Sequence, residues 1–265
     1  MNFNNIEDSN LNKKYRMSRN ILLIVRNFEK GGGAERTAAE LGNKFHDKGY
    51  SIYYLSFLKP SIDTYKVKGK HFSLNETSYR FDLGKGIKDV LKNIIKVIRF
   101  KFRIFTYPKI IKNFTKNYKI DLIISFGEYN NLASLLSRII FKNNTKLIVS
   151  IRNNPDLMYT KDQSILSYFL YKIITIKYLY KKADVIIPNF EADFENILYN
   201  YNPNKNNVKS IFNLYNINHC IELSKEKIPF KYNEIFENSF VFINIGRIVE
   251  PVSYTHLTLP TILLV

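Results

Sequence analysis

Three consecutive glycines, Gly31, Gly32 and Gly33, stand in a chain with only ten glycines in 265 residues. They separate an apolar run, Ile21–Val25, from a helix-like stretch, Ala34–Lys48. A turn without Cβ atoms lets the chain reverse and lets a ligand approach the backbone. The helix start behind it offers unpaired N–H groups and the positive end of a macrodipole, both suited to phosphate or carboxylate oxygens. A tight turn with no ligand has the same composition, and loop position alone leaves both readings open. No Gly-Lys-Ser/Thr follows, and G-x-G-x-x-G spacing is absent, so this is neither a Walker A loop nor a dinucleotide fingerprint. Glu35 and Arg36 fall in the first helical turn. Glu35 suits a ligand site or simple N-terminal stabilisation worth about 0.3–1 kcal/mol, whereas Arg36 reads as structural.

Two further pairs sit where apolar runs end. Glu128 and Asn130 follow "LIISFG", and Arg152 and Asn153 follow "KLIVS". Ligands of open parallel sheets lie at the carboxyl ends of strands, which makes these polar residues site candidates alongside their ordinary turn and cap roles. The histidines form no triad: His46 reads as a helix-surface residue, His71 as a loop residue, and His219 lies near a linker. The single cysteine, Cys220, excludes an internal disulfide and a Cys-rich metal site, and reads as an inert small residue.

Seven apolar runs have strand length: Ile21–Val25, Ser51–Phe57, Leu122–Ser125, Leu147–Ile151, Val185–Pro188, Val208–Phe212 and Phe240–Ile245. Between them lie helix-length segments at Ala34–Lys48, Gly86–Phe105, Pro108–Asn117, Asn130–Phe141, Gln163–Lys182 and Glu191–Tyr199. Strands alternating with helices predict an α/β fold: a Rossmann-like parallel sheet with helices on both faces. The most apolar stretch is broken by Lys172 and Lys177 and is better explained as a buried helix than as a membrane span.

Forty Lys and Arg against 23 Asp and Glu leave a net charge of +17, which favours anionic partners such as nucleic acid, phospholipid or sugar phosphates. The charge concentrates in Lys85–Lys119, with eleven basic residues and one acid, Asp89. As a helix, Lys88, Lys92, Lys96, Arg99 and Arg103 would share one face, with Ile87, Leu91, Ile94, Ile95, Ile98, Phe102 and Phe105 on the other. That pattern suits an anionic membrane surface, at about 1 kcal/mol per cation. An ordinary domain helix with a solvated basic face has the same pattern.

Several of these strings match one family in order. "GGGAERTAAELGNKFHDKGYSIYYLS" resembles the opening of the N-terminal domain of family 4 glycosyltransferases, where a strand leads into G-G-x-E-R and a helix. "DLIISFGEYNNLASLLS", "KLIVSIRNNPD", "LYKKADVIIPNFEADFENI" and "KSIFNLYNINHCIELS" resemble successive later segments, and "FVFINIGRIVE" resembles the first strand of the second domain. Leu214 and Asn216 depart from the Pro and Asp of the family's N-P-x-D connection, which weakens the match at Asn213. The resemblance implies GT-B architecture: two Rossmann-like domains across a cleft, a nucleotide-sugar donor mainly on the second, and a glycan or lipid-linked acceptor mainly on the first. It further implies a retaining reaction with no metal or other cofactor, and makes Arg247 the residue pairing with the donor diphosphate. The same resemblance places Glu35 and Arg36 at the cleft, where the backbone N–H groups of Gly32 and Gly33 would meet the leaving phosphate; Gly31, Glu128, Asn130, Arg152 and Asn153 remain binding candidates from their places in the glycine turn and at the strand ends. No catalytic residue is assigned, and the acidic donor-binding element of the family has no counterpart here.

The expected organisation is a disordered leader over 1–18, with Met17 a second candidate start, then the GT-B N-terminal domain over 19–220, a linker over 221–238, and the start of a truncated second domain over 239–250. Residues 251–265, "PVSYTHLTLPTILLV", lose the Asn- and Lys-rich character of the rest and resemble translated sequencing-adapter DNA. On this reading the chain by itself is inactive, and it sits in the cytoplasm or on the inner face of the cell membrane, with no nucleic-acid partner. The alternatives are a basic nucleic-acid-binding Rossmann-like module, suggested by charge and aromatic content, and a fragment of a GT-B nucleotide-sugar epimerase.

Overall fold

A computed structural model describes residues 19–30, 32–58, 64–76, 106–152, 178–188, 207–214, 217–227 and 230–241. Six parallel strands form one sheet: β1 (Asn20–Val25), β2 (Ser51–Leu58), β3 (Lys70–Glu76), β4 (Leu122–Phe126), β5 (Lys146–Ser150) and β6 (Val185–Ile187). Their order across the sheet is β3-β2-β1-β4-β5-β6, the doubly wound Rossmann order. The chain runs outward from β1 to one edge, returns, and runs outward from β4 to the other, so the order reverses between β1 and β4. The expected Rossmann-like α/β fold is the fold found.

Central β1 is buried from Ile21 through Val25, on both faces, which is why it reads as an unbroken apolar run. Its alternate residues feed two separate cores. Ile21, Leu23 and Val25 face helix α1 (Gly33–Asp47) with Ile52, Tyr54, Ile124 and Phe126. Leu22 and Ile24 face the other side, with Leu55, Phe57, Ile123 and Val149, where helix α2 (residues 106–117) contributes Tyr107, Ile111 and Phe114, and helix α3 (Glu128–Ile140) contributes Ala133 and Leu135. The buried residues of α1 are Thr37, Ala38, Ala39 and Gly42, all small, so this helix lies close against the sheet.

At the amino rim two aspartates make the same connection. Asp121 donates its backbone N–H to Asn20 O (2.9 Å) while its Oδ2 accepts from Asn20 N (2.8 Å). Asp184 does likewise with Leu147, at 2.9 and 2.7 Å, and adds an ion pair with Arg138 at 2.6 Å. Each aspartate thereby sets the register of the strand that follows it.

The structure differs from the sequence reading in four places. His71 lies on edge strand β3, not in a loop; only Phe72 and Leu74 of β3 pack on the core, too short an apolar alternation to stand out among polar neighbours. The expected strand Val208–Phe212 reduces to one parallel bridge, Val208 to Ile186, after which Ile211 and Phe212 are exposed. The segment read as a linker over 221–238 carries helical turns: α4 (Ile217–Leu223) enters it and α5 (Asn233–Asn238) ends it. Residues 178–182 form π and 3₁₀ turns where the end of the Gln163–Lys182 helix was expected. The Gly86–Phe105 and Glu191–Tyr199 helices, the basic stripe of Lys88, Lys92, Lys96, Arg99 and Arg103, and the 1–18 and 251–265 segments lie outside the described residues. Among the described residues, no helix is long and apolar enough to cross a membrane.

Candidate functional site

All six strands run the same way, so the turns that leave them gather at one carboxyl rim. Three turns there carry the candidate residues: the glycine turn between β1 and α1, the Gly127 turn between β4 and α3, and the exit of β5 at Ile151 and Arg152. The first two flank the reversal of strand order, where doubly wound sheets open a crevice.

In the glycine turn, Gly32 is the N-cap of α1 in extended conformation, and its carbonyl accepts the Arg36 N–H at 3.1 Å. Glu35, three residues into the helix, folds its carboxylate back over Gly32, filling the space where a side chain would stand. Gly33, in contrast, has open space around the position of a Cβ. Arg36 pairs with Glu40 at 2.9 Å along the helix, which holds its pKa above the ordinary arginine value chiefly through that hydrogen bond and fits its structural reading. Gly31, Asn153 and Arg247 lie outside the described residues.

The β4–α3 turn is built on Gly127, whose φ of 87° and ψ of 155° few residues other than glycine adopt. Its N–H reaches Ser150 O at 3.2 Å, tying the ends of β4 and β5 together. Glu128 opens α3 and is half-buried. Asn130 is 4% exposed and donates Nδ2 to Phe126 O at 2.6 Å, so it closes the turn rather than facing the crevice. Its neighbour Asn131, not singled out from sequence, donates Nδ2 to Ser150 O (2.9 Å) and to the Tyr180 hydroxyl (3.2 Å), locking the end of β5 in place.

That locked strand end presents Arg152. Its guanidinium carbon stands 5.0 Å from the centre of the Phe126 ring, and its Nη1 donates to Asn213 Oδ1 at 2.5 Å. Asn213 Oδ1 lies 3.4 Å from Thr37 Oγ1, which itself donates to Gly33 O at 2.8 Å. Four distant stretches of chain, at residues 37, 126, 152 and 213, thus meet around one half-buried cation. Of the candidates from sequence, the structure joins Arg152 to Gly33 through Asn213 and Thr37, keeps Glu35 on Gly32, and turns Asn130 inward. Sequence reasoning passed over Thr37 and Phe126, because a small helix residue and a strand aromatic carry no signal of their own. Asn213 did have one, its place in the N-P-x-D-like connection.

No protein-family model matches the chain. It is 34% identical over 212 residues to an uncharacterised glycosyltransferase of Methanocaldococcus jannaschii, an alignment covering 78% of this chain and 47% of that protein. It is 27% identical over 140 residues to N-acetylgalactosamine-N,N'-diacetylbacillosaminyl-diphospho-undecaprenol 4-alpha-N-acetylgalactosaminyltransferase of Campylobacter jejuni, covering 52% of this chain and 36% of that one. Among solved structures, a glycosyltransferase from Rickettsia africae aligns with a TM-score of 0.49 at 17% identity, over 83% of this chain and 49% of that chain. The chain spans about half the length of the first of these curated relatives and about a third of the second. By sequence, the chain is a homologue of glycosyltransferases.

Proposed function

We propose that the chain is the acceptor-side half of a family 4 glycosyltransferase of GT-B architecture, whose whole protein moves a sugar from a nucleotide-sugar donor to a lipid-linked or polysaccharide acceptor. The observation that carries this is the 212-residue similarity to a glycosyltransferase, which covers 78% of this chain. The second relative names an undecaprenol-diphosphate-linked acceptor, which supports a lipid-linked acceptor here. The basic stripe from Lys88 to Arg103 supports work beside an anionic membrane surface on its cytoplasmic side. Retention of anomeric configuration, independence of metal, and pairing of Arg247 with the donor diphosphate belong to the same proposal. Of the rim residues, Gly33, Glu128 and Arg152 are proposed for substrate contact. Gly31, Gly32, Glu35 and Asn153 complete the proposed cleft lining, and Asn130 supports it from beneath.

The test is transfer by the reading frame extended to the length of the relatives. Labelled UDP- and GDP-sugars are offered with a polyprenyl-diphosphate-linked acceptor in anionic vesicles, and label is followed into the lipid fraction. Transfer from one donor is the expected outcome. Absence of transfer from every donor, together with tight salt-sensitive binding of single-stranded RNA, would replace this reading with the nucleic-acid one.

A further inference from the structure

Helix α3 meets the sheet with a largely polar surface. Six of its residues are buried, and four of them, Asn130, Asn131, Ser134 and Ser137, are polar. The two serines are bonded: Ser134 Oγ donates to Asn130 O at 2.9 Å, and Ser137 Oγ accepts from Asn143 Nδ2 at 3.1 Å. The two asparagines are only half used. Asn130 Nδ2 goes to Phe126 O, and Asn131 Nδ2 to Ser150 O and the Tyr180 hydroxyl, whereas neither Oδ1 has a partner among the described residues. Neither amide can be turned over, because its oxygen would then face a carbonyl oxygen.

The strand beneath brings a third such atom. Ser125 stands one residue before Phe126, and its Oγ also lacks a partner among the described residues. It is in register with Val149, so its side chain faces the core that α3 covers. Ser150 Oγ is likewise without a partner, but Ser150 is in register with Phe126 and faces the α1 side. Ser125 and Asn131 are 0% exposed and Asn130 4%, so bulk solvent does not satisfy these atoms. Buried polar atoms of folded proteins are nearly all hydrogen-bonded, to protein or to an internal water.

The bonding capacity of the three atoms defines what fits between them. The two amide oxygens only accept, and the serine hydroxyl can donate one proton. One water donates two protons and accepts one, so it closes all three with the three bonds usual for an internal water. Three neutral oxygens are too few for calcium or magnesium, which take about six or more.

We propose that one internal water is bound between the end of β4 and the first turn of α3, accepting from Ser125 Oγ and donating to Asn130 Oδ1 and Asn131 Oδ1. The water joins the two asparagines that hold Phe126 O and Ser150 O, the carbonyls at which β4 and β5 end, into one network beneath the carboxyl rim. The site does not depend on the glycosyltransferase reading.

NMR of the isotope-labelled 265-residue chain tests it. Cross-relaxation from water to the side-chain amide protons of Asn130 and Asn131 is expected, with the sign given by a water that tumbles with the protein. The signal persists in Tyr180→Phe, which removes the nearby hydroxyl as a relay. Urea melts supply a second readout. Ser125→Ala lowers the folding equilibrium constant by about fivefold, the worth of one hydrogen bond. In a dry site the same change removes a hydroxyl without a partner and leaves the constant unchanged or raised. Ser125 and Asn130 share no direct bond, so a coupling of about threefold or more between Ser125→Ala and Asn130→Ala in a double-mutant cycle reports the shared water. Absence of the water signal at both asparagines, stability of Ser125→Ala equal to or above wild type, or additivity in the cycle each overturns the proposal. Where Asn130→Ala fails to fold, the first two measurements decide.

Discussion

Asp121 and Asp184 each grip the first turn of the neighbouring strand by the same two bonds, one through the backbone and one through the carboxylate. The repetition explains why Asp precedes the apolar run in both "DLIIS" and "DVIIP". In each case a strand must start in register beside its neighbour, and a carboxylate satisfies the end N–H that the ladder leaves over.

Removing either carboxylate should loosen that start. Asp121→Ala and Asp184→Ala are expected to lower unfolding free energy by about 1–2 kcal/mol each, the size of a hydrogen bond to a charged group at a partly exposed site. Asp184→Asn should cost less than Asp184→Ala, since an amide oxygen still accepts from Leu147 N–H while the pair with Arg138 is lost. Urea melts of the three variants check the order.

Gly42 is the point where α1 meets the sheet most closely. A Cβ there would overlap the Tyr54 hydroxyl and stand 2.8 Å from its ring carbon Cζ. Helix propensity alone predicts that Gly42→Ala stabilises by up to about 1 kcal/mol. The close contact reverses the sign, and a loss of about 1–3 kcal/mol is expected from overpacking. Tyr54→Phe removes a buried hydroxyl that has no partner among the described residues, and should be neutral or stabilising. In the double variant part of the Gly42→Ala loss should return, a coupling that a double-mutant cycle measures.

Burial also holds the Tyr54 hydroxyl well above the ordinary tyrosine range. The folded state resists releasing this proton, so its contribution to stability is full below pH about 10, where an unfolded tyrosine titrates, and is lost as pH rises beyond it. Melts between neutral and strongly alkaline pH should show a steeper fall for wild type than for Tyr54→Phe. Equal slopes would mean that Tyr54 titrates freely.

At the other end of the pH scale stands His71. Its Nε2 lies 2.8 Å from Ser56 Oγ, and its ring meets Phe28 edge-on at 5.0 Å. Although the residue as a whole is exposed, those contacts enclose part of the ring, and desolvation lowers its pKa from the ordinary histidine value. A depressed folded pKa gives stability that is present above the unfolded value of about 6.5 and is lost as pH falls through the folded one. His71→Gln should therefore flatten the loss of stability between neutral pH and pH about 5, and an NMR titration of the His71 ring should show the downward shift directly.

Gly127 provides a backbone test. Its conformation is restricted to glycine although nothing crowds the position of a Cβ. Gly127→Ala is expected to cost about 1–3 kcal/mol from backbone strain alone. Because Gly127 N–H and Asn131 both hold the carbonyl of Ser150, the same change should disturb the strand end that presents Arg152, visible as altered amide exchange at Ile151 and Arg152.

By itself the sequence determined the layering of this protein. Runs such as "ILLIV" and "LIIS" are apolar at every position because a central parallel strand is buried on both faces, and that local pattern needs no knowledge of the rest of the chain. It also marked the strand ends at Gly31–Gly33, at Glu128 and Asn130, and at Arg152, because strand ends carry their own punctuation. Edge strand β3 escaped notice because an edge buries only half of its residues. Only the tertiary structure decided that Asn213 meets Arg152 across 61 residues of sequence, that Thr37 stands beside them, and that Asn130 turns inward while Glu35 folds over Gly32. Those contacts depend on the strand order, which reverses between β1 and β4. Hydrophobic periodicity is blind to strand order because every central strand is apolar in the same way.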